Sequence, residues 1–515
     1  MRDPRYNFAA KKVLIMGLGR FGGGIDVSRF AHGAGARVIV TDLASAEQLS
    51  DSLNRLRDLD GIEFHLGSHD PADFEQADII VANPAVPGDN KFLQIARRAK
   101  RFVTSQINIF FELCPTKIIG ITGANGKSTT TALTAHLLKA ARHPPSRLTE
   151  HVIASEAKQS QTTQYATRNT QYENVWLSGN IGNQPLLTTL AQINPDDLVV
   201  LELSSFQLEQ LAEIQKAPDV SLLTNLTPNH LDRYGTFENY CAAKENIFKF
   251  QKPSDNRPAV SIFNAEDTIA AELFEKYKND PGRICIKFSV GDVGDELCEC
   301  FALPGRANLS NLAAATAIAK YFGADDDRIK DCLLAFKALP HRLELVETIN
   351  GVSWYNDSKA TTPEGAITAL DAFDKPTIII AGGYDKDIPF DDLGKKIAKK
   401  AKAAILMGQT APKIVEVIKN SQMSLRGVAA TEQSEVDGPS TSLHSVAATQ
   451  TEIVSSLAEA VKLANKLAKP GDIVFLSPAC ASYGMFENFQ HRGLEFIRLV
   501  QAISNNRTGS QSECK

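Results

Sequence analysis

The sequence lacks any apolar run near the ~20 residues that a membrane-spanning helix needs. No apolar signal core stands in its opening stretch, residues 1–12. We therefore expect a cytoplasmic chain that does not associate with membranes. An excess of positive charge is also missing, because the formal net charge is −5 at pH 7. Nucleic acid is accordingly not an expected partner.

Paired metal-binding cysteines are absent as well. The chain has 8 cysteines but no Cys-x-x-Cys pair, and no histidine cluster accompanies Cys298 and Cys300. This pattern does not indicate a zinc site, and scattered thiols in a reducing compartment are expected instead.

What the sequence does contain is a repeated alternation of apolar strand, polar loop and helix. The 515 residues suffice for about three domains of ordinary size. We predict an α/β protein with three domains: a Rossmann-like N-terminal domain (1–113), a central P-loop mononucleotide-binding domain (114–338) and a C-terminal Rossmann-like α/β domain (339–515).

The stretch "IIGITGANGKSTTT" (118–131) has the pattern of a phosphate-binding loop. Gly123 and Gly126 permit a tight turn whose N–H groups face an anion. A predicted strand precedes the turn and a predicted helix, 128–141, follows it. Lys127 can neutralise phosphate oxygens and Ser128 can ligate Mg²⁺. Ile121 stands where the standard pattern has glycine, so a glycine-rich turn with a solvated lysine is the competing interpretation.

A second glycine-rich turn, "GLGRFGGG" (17–24), follows a predicted strand at 12–16. Gly17, Gly19 and Gly22 satisfy the dinucleotide fingerprint, and Asp42 falls roughly where a ribose-binding acid would stand. Three interpretations remain open here. The turn could bind a dinucleotide, bind no ligand, or hold the diphosphate of a nucleotide-linked substrate.

Polar clusters follow the apolar strands after the phosphate loop. "LVVLELSSFQLE" delivers Glu202, and "LLTNLTPNHLDRYG", read as a further strand, delivers His230. Because parallel strands end at one edge of a sheet, both side chains are candidate Mg²⁺ ligands beside the loop. Each could instead be a satisfied structural polar group.

Seven motifs together resemble the Mur ligases, over nearly the whole chain apart from two polar stretches. They are "TGANGKST", "SGNIG", "ELSSFQLE", "NHLDRYG", "LPHRLE", "NDSKATT" and "LSPACASYGMFENFQHRG". The combination of "ELSSFQLE" with "SPACAS" points to the branch that adds D-glutamate. The resemblance implies an ATP- and Mg²⁺-dependent ligase of peptidoglycan synthesis, expected to be a monomer. It would join D-glutamate to UDP-N-acetylmuramoyl-L-alanine through an acyl phosphate.

The resemblance also implies site residues. ATP would be bound by Gly123, Asn125, Gly126, Lys127, Ser128, Thr129, Asn308, Asn311, Arg342 and Asp357. Metal ligands would be Ser128, Glu202, His230 and Lys244, the last if carbamylated, and catalytic residues Lys127, His230, Lys244 and Lys359. The UDP-linked substrate would contact Arg20, Phe21, Asp42, Asn180, Ser204 and Gln207, and D-glutamate would contact Thr361, Lys386, Ser482 and Phe489.

Two departures and two inserts stand out. Asn229 replaces an acid that some relatives carry before the histidine, and Ala307 replaces an expected polar residue. The polar stretches at about 142–174 and 421–451 lack helical periodicity and fall between a helix and a strand. We expect both to be exposed, poorly ordered and catalytically silent.

Other functions are not excluded by the sequence. A sibling ligase that adds another amino acid shares the three-domain plan, although folate ligases lack the leading glycine-rich domain. A nucleotide-binding protein that has lost ligase activity would not need the C-terminal "NDSKATT" and "SPACAS" loops.

Overall fold

The structure is a computed structural model that describes residues 3–20, 22–141, 172–181, 185–253, 258–434 and 448–511. Its residues form two compact units, Met1–Cys300 with Ser310–Leu334 and Phe301–Leu309 with Ala335–Lys515. Phe21 and most of the first polar insert lie outside the described residues. Three sheets account for the described strands, so the predicted three-domain α/β architecture agrees with the sheet content. The domain boundaries themselves stay predictions.

The first sheet consists of short strands, of which the three central ones are buried on both faces, as expected for a parallel sheet covered by helices, while the two edge strands are more exposed. All its pairings are parallel, in the order β3-β2-β1-β4-β5, which is the order of the first five strands of the six-stranded Rossmann fold. Its elements are a 3₁₀ helix (Pro4–Tyr6), β1 (Lys12–Met16), α1 (Gly23–Gly33), β2 (Arg37–Asp42), α2 (Ser50–Asn54), β3 (Glu63–Leu66), α3 (Pro71–Gln76), β4 (Ile79–Ala82), α4 (Lys91–Arg98), β5 (Phe102–Thr104) and α5 (Gln106–Leu113).

The central sheet is also wholly parallel, in the order β11-β10-β9-β6-β8-β7. Its elements are β6 (Lys117–Thr122), α6 (Lys127–Ala141), β7 (Val175–Gly179), a 3₁₀ helix (Leu190–Gln192), β8 (Leu198–Glu202), α7 (Ser205–Glu213), β9 (Val220–Leu223), α8 (Leu231–Tyr234), α9 (Phe237–Lys249), β10 (Ala259–Asn264), α10 (Thr268–Tyr277), β11 (Arg283–Phe288), a 3₁₀ helix (Val290–Asp292), α11 (Asp295–Cys300), α12 (Arg306–Tyr321) and α13 (Asp326–Leu333). Strand β6 lies between β9 and β8, so their carboxyl ends are neighbours.

The C-terminal sheet has the order β12-β13-β17-β14-β15-β16, with β12 antiparallel to β13 and the other pairings parallel. Its elements are β12 (Glu344–Ile349), β13 (Val352–Asn356), α14 (Pro363–Asp371), β14 (Thr377–Ala381), α15 (Asp391–Lys400), β15 (Ala401–Leu406), α16 (Ala411–Ser434), β16 (Gln450–Ile453), α17 (Leu457–Leu467), β17 (Ile473–Leu476) and α18 (Phe489–Gln511). Apolar clusters cover its two faces.

The second polar insert is smaller than the sequence predicts. Helix α16 continues to Ser434, so the expectation that the insert lacks helix from residue 421 is wrong. Extending a helix that is already nucleated adds one hydrogen bond for each residue fixed, which explains the continuation. At the other end, Thr449 is buried and its hydroxyl donates to the Ala401 carbonyl at 2.8 Å. Residues 435–447 lie outside the described residues, as do residues 142–171 of the first insert.

Two further sequence predictions need adjustment. The strand predicted from "LLTNLTPNHLDRYG" ends at Leu223, and Leu231–Tyr234 is a short helix. His230 therefore lies in a connection, with φ of 53°. Among the described helices, none combines the length and the apolar character that crossing a membrane requires.

Candidate functional site

The phosphate loop lies between β6 and α6, where the sequence predicts it. Lys127 folds back over the turn, and its ammonium donates to the carbonyls of Gly123 at 2.9 Å and Ala124 at 2.8 Å. Gly126 has φ of 80°, and a Cβ there would lie 2.2 Å from Oδ1 of Asn311. Thr130 donates to that same oxygen at 3.2 Å. The turn thus requires glycine both for its backbone angle and for the close approach of Asn311.

The rest of the predicted ATP-binding turn lies at the start of α6 and in the turn itself. Ser128 and Thr129 are buried in the first turn of that helix, while Asn125 is exposed. The positive end of α6 faces the same turn. The arrangement suits an anion of the size and charge of a nucleotide phosphate.

Two residues that sequence reasoning missed fix the shape of this turn. Asn225, just after β9, accepts hydrogen bonds from Ala124 N at its carbonyl (2.8 Å) and from Asn125 N at its side-chain oxygen (2.9 Å). The Thr224 hydroxyl donates to the Asn125 carbonyl at 2.7 Å. Their signal was available, since polar residues follow an apolar strand at the carboxyl edge, but we expected His230 to be the important residue of that segment.

Lys244 lies in the same region and is almost fully buried, with 2% exposure. Its ammonium donates to the Thr122 hydroxyl at 3.2 Å and lies 5.0 Å from the centre of the Tyr240 ring. Burial, and next the charge of Lys127, hold the pKa of Lys244 well below its usual range. A lowered pKa increases the share of the neutral amine, which is the form that carbamylation requires.

Glu202 ends β8 and is likewise 2% exposed. One carboxylate oxygen accepts from Asn180 Nδ2 at 3.2 Å, whereas the other, Oε2, has no hydrogen-bond partner among the described residues. The negative charge of Glu202 acts on Lys244. A buried carboxylate oxygen without a partner is costly unless a cation joins it, so the position fits a hard cation such as Mg²⁺.

His230 completes this group. Its ring lies 5.2 Å from that of Phe206 and 6.3 Å from that of Tyr240. Burial lowers the pKa of His230, with smaller effects from Asp232, Lys244 and Lys127. Within the described part of the chain, no three His, Cys, Asp or Glu side chains are grouped for a metal. A magnesium ion here would therefore need the serine, the modified lysine or the nucleotide as further ligands.

The first glycine-rich turn is held by a carboxylate. Gly19 N donates to Asp42 Oδ2 at 3.1 Å, and the Ser52 hydroxyl donates to the Gly19 carbonyl at 2.7 Å. A Cβ at Gly17 would lie 2.9 Å from Cβ of Asn83, which the sequence analysis did not single out. Asp42 thus shapes the turn, and Arg20 beside it is exposed. Phe21 lies outside the described residues.

The other residues predicted for the UDP-linked substrate lie at the ends of β7 and β8. Asn180 N donates to the Glu202 carbonyl at 2.9 Å. Ser204 and Gln207 form a capping box at the start of α7: Ser204 N donates to Gln207 Oε1 at 2.9 Å, and Gln207 N donates to Ser204 Oγ at 3.2 Å. The structure therefore places Asn180 in contact with Glu202, a candidate metal ligand, whereas Ser204 and Gln207 bond to each other as a helix cap.

The second unit contains the remaining predicted ATP-side residues, except Asn311, which belongs to the first unit. Asn308 Nδ2 donates to the Pro304 carbonyl at 2.8 Å. Asp357 follows β13, where it accepts from Ser477 Oγ at 2.8 Å and from Leu343 N at 3.2 Å. Burial raises the pKa of Asp357 to about 7, and the neighbouring Arg342 acts in the opposite direction.

The residues predicted for phosphoryl transfer and D-glutamate follow β13, β14 and β17, which are adjacent strands of the C-terminal sheet. The Lys359 ammonium lies 5.6 Å from the centre of the Phe489 ring. Thr361 N donates to the Lys359 carbonyl at 2.9 Å. Ser482 is buried, with 5% exposure, and Lys386 lies close enough to Cys480 for its charge to act on that thiol.

Arg492 connects two of these loops and was missed by sequence reasoning. It is 1% exposed and donates to Ser358 Oγ at 3.0 Å, to the Ser358 carbonyl at 2.9 Å and to the Cys480 carbonyl at 3.1 Å. Burial lowers its pKa to about 10. An arginine beside the helix-starting Phe489 gives no local sign that it anchors loops 134 and 12 residues away.

Comparison with known proteins gives a consistent family assignment along the chain. Residues 11–105 match the Mur ligase MurD-like N-terminal domain, residues 121–319 the Mur ligase middle domain, and residues 341–480 the Mur ligase glutamate ligase domain. A UDP-N-acetylmuramoylalanine–D-glutamate ligase from Roseiflexus sp. (strain RS-1) is 38% identical over 524 residues, covering 96% of this chain and 99% of that protein. The enzyme of the same name from Acetivibrio thermocellus is 34% identical over 520 residues, covering 98% and 99%.

Solved structures support the same fold at lower sequence identity. A pseudomurein peptide ligase type C from Methanothermus fervidus has a TM-score of 0.50 and 16% identity, covering 96% of this chain and all of that one, 100%. MurF from Acinetobacter baumannii has a TM-score of 0.50 and 15% identity, covering 97% and 93%. The predicted fold class is thereby confirmed.

Proposed function

Since this chain belongs to the Mur ligase family, we propose that it joins D-glutamate to UDP-N-acetylmuramoyl-L-alanine, driven by ATP, in peptidoglycan precursor synthesis. Membership makes it an ATP-dependent ligase that requires Mg²⁺. The choice of D-glutamate is supported by the names of its full-length relatives. It is also supported by the match of its C-terminal region to a glutamate ligase domain.

The observation that carries the proposal is the group of side chains at the carboxyl edge of the central sheet. Lys127 covers the phosphate turn. The charge of Lys127 lowers the pKa of Lys244 and that of Glu202 raises it, so the three side chains lie close enough to interact. The charges of Lys244 and Lys127 also lower the pKa of His230. A cationic turn beside a buried carboxylate and a lysine of lowered pKa suits a metal-bound nucleotide better than it suits a structural ion pair.

Mg²⁺ would be held by Ser128, Glu202, His230 and Lys244 as its carbamate. When bound, it neutralises charge on the ATP phosphates. The carbamate forms when the neutral Lys244 amine attacks carbon dioxide and loses a proton, which exchanges a cation for an anion. The lowered pKa of Lys244 supports this modification by keeping part of the amine unprotonated.

The proposed reaction consists of two nucleophilic displacement steps. An oxygen of the terminal carboxylate of the UDP-linked substrate attacks the γ-phosphorus of ATP, ADP leaves, and an acyl phosphate forms. The amine of D-glutamate then attacks the acyl carbon, phosphate leaves, and the amine loses its proton. Lys127 stabilises the negative charge of the phosphates, and we assign Lys359 the same task at the transferred phosphoryl group.

The binding residues follow the same assignment. The UDP-linked substrate would contact Asp42 and Arg20 at the first turn and Asn180, Ser204 and Gln207 near the central sheet. D-Glutamate would contact Thr361, Lys386, Ser482 and Phe489. We further propose that the enzyme acts as a monomer in the cytoplasm, where ATP and the UDP-linked substrate are both available.

The proposal is tested with purified protein, ATP, Mg²⁺ and UDP-N-acetylmuramoyl-L-alanine, by following phosphate release with each candidate amino acid. Release that depends on D-glutamate is expected. Release with L-glutamate, L-alanine or diaminopimelate, but not with D-glutamate, would assign a sibling activity. Nucleotide binding without any release would indicate a protein that has lost ligase activity.

A further inference from the structure

Asp26 is a buried carboxylate that the proposed mechanism does not use. It lies in the first turn of α1 and is 6% exposed. Its Oδ2 accepts from Leu186 N at 3.0 Å and Leu187 N at 2.7 Å, and its Oδ1 accepts from Thr188 N at 3.1 Å and the Thr188 hydroxyl at 2.7 Å. These donors are 160 to 162 residues away, in the segment between β7 and β8.

A fifth donor comes from a third element. Gln106, the first residue of α5, donates its side-chain amide to Asp26 Oδ2 at 2.7 Å. Three backbone amides, a hydroxyl and a carboxamide thus converge on one carboxylate. Each of these donors is a neutral dipole. Hydrogen bonds to an ionised acceptor are roughly twice as strong as those between neutral groups, so this contact fixes the spacing of the three elements.

Helix α1 transmits that position directly to the first glycine-rich turn. Gly22 is the N-cap of the helix, and a Cβ at Gly24 would lie 2.4 Å from the Leu18 carbonyl oxygen. The helix and the turn are therefore in contact through their backbones. A shift of α1 would therefore displace the turn to which we assign the UDP-linked substrate.

The segment on the other side of the contact leads to Asn180 and Glu202. The Ser178 hydroxyl donates to the Pro185 carbonyl at 2.9 Å, which ties the segment to β7. Asn180, at the end of β7, donates to both the carbonyl and the carboxylate of Glu202. Asp26 therefore couples the turn of the first sheet to the polar end of the central sheet.

We propose that Asp26 is a positioning residue that sets the affinity for the UDP-linked substrate by holding the two parts of its binding site at a fixed spacing. This inference rests on the proposed function, because it assigns the first turn and Asn180 to the same substrate. The hydrogen bonds that the structure describes for Asp26 go to Gln106 and to residues 186–188 and not to the proposed ATP turn at 123–127, so we expect ATP to bind independently of Asp26.

The test is Asp26→Asn in the full chain, assayed for kcat and for the KM of each substrate. The amide keeps the shape but turns one acceptor into a donor, so at least two N–H or O–H groups face an N–H. We expect the KM for UDP-N-acetylmuramoyl-L-alanine to rise about tenfold, with kcat and the KM for ATP changed less than about twofold. Hydrogen exchange at the amides of Leu186, Leu187 and Thr188 should accelerate in the same variant.

Two further variants make the result decisive. Glu213→Gln removes an acid of the same unit whose one ion pair among the described residues is long and exposed, 3.7 Å from Arg97, and it should leave every kinetic constant unchanged. Thr188→Val removes a single hydroxyl donor and should raise the same KM about threefold. If Asp26→Asn does not fold, Thr188→Val tests the same prediction.

The outcomes separate this inference from the proposed function. If wild-type protein neither binds nor uses the UDP-linked substrate, the proposed function falls and the inference with it. If the wild type is active but the variants lose only melting temperature, or change both KM values together, Asp26 is a structural residue and the positioning role is refuted.

Discussion

The two glycine-rich turns of this protein share a strand–turn–helix plan but differ in charge. The turn at 17–22 has the carboxylate of Asp42 bonded to its Gly19 amide. The turn at 123–127 has the ammonium of Lys127 folded over its carbonyls, and neutral Thr224 and Asn225 support it. At the second turn a lysine lies over the carbonyls with neutral side chains beside it, whereas the first turn combines backbone N–H groups, a helix end and the exposed Arg20 with the carboxylate of Asp42. A glycine pattern therefore predicts a turn, and the charged side chains around it decide which ligand it holds.

The largest expected effect comes from removing the charge of the second turn. Lys127→Ala should lower kcat at least ~10³-fold, because we assign this cation to the phosphates of ATP. Calorimetry should show that the UDP-linked substrate still binds with a Kd within about twofold of wild type. Loss of that binding as well would mean that the two turns do not serve separate ligands.

The second largest effect is expected at Lys244, which lies near Lys127 of the second turn. Lys244→Ala should reduce phosphate release roughly 10²-fold, and added acetate or formate should restore part of it, because a small carboxylate can replace a carbamate. Lys249→Ala, an exposed lysine at the end of the same helix, is the matched control and should be silent. Full activity of Lys244→Ala would remove the carbamate from the mechanism.

A crossed pair of glycine substitutions sharpens the comparison. Gly126→Ala and Gly17→Ala each place a Cβ in a close contact at positive φ, against Asn311 and Asn83 respectively. Such strain amounts to about 1–3 kcal/mol. We expect Gly126→Ala to raise the KM for ATP and Gly17→Ala the KM for the UDP-linked substrate, each about tenfold. The two KM values are measured by steady-state kinetics with each substrate varied in turn. If both variants changed the same KM, the assignment of the two turns would be wrong.

The smallest effect is expected at the acid of the first turn. Asp42→Asn keeps one acceptor for the Gly19 amide and removes the charge, so the KM for the UDP-linked substrate should change about three- to fivefold. Asp51→Asn, an exposed acid on α2, serves as the control. If Asp42→Asn changed the KM for ATP instead, ATP would bind at the turn at 17–22, and the assignment of the two turns would be wrong.

Much of the fold was predictable because its signals are local. The runs at 12–16 and 117–121 became the buried strands β1 and β6, and the helix predicted at 128–141 begins one residue earlier, at Lys127. The strand predicted over 198–209 is wrong in its second half, because β8 ends at Glu202 and the capping box at Ser204 starts helix α7. The family and the α/β class are confirmed by the comparisons. The individual site residues stay predictions, although the structure groups Lys127, Glu202, His230 and Lys244 as expected.

The missed residues share a different property. Asn225 meets Asn125 across 100 residues, Asp26 meets Leu186 across 160, and Arg492 meets Ser358 across 134. No periodicity or spacing links such pairs, because each contact exists only after the sheets have formed. The helical continuation of α16 into the second insert was missed for a related reason, since it is an extension of a packed helix rather than an independent amphipathic segment.

The sequence by itself determined where strands and glycine turns fall, which turn carries a lysine, and which family the chain resembles, since these depend on residue order along one strand or turn. Only the tertiary structure decided that Lys244 is buried beside Lys127, that one oxygen of Glu202 lacks a partner, and that Asp26 joins α1 to the segment after β7. Burial and electrostatic coupling depend on distances between groups far apart in the chain, and those distances are set by packing.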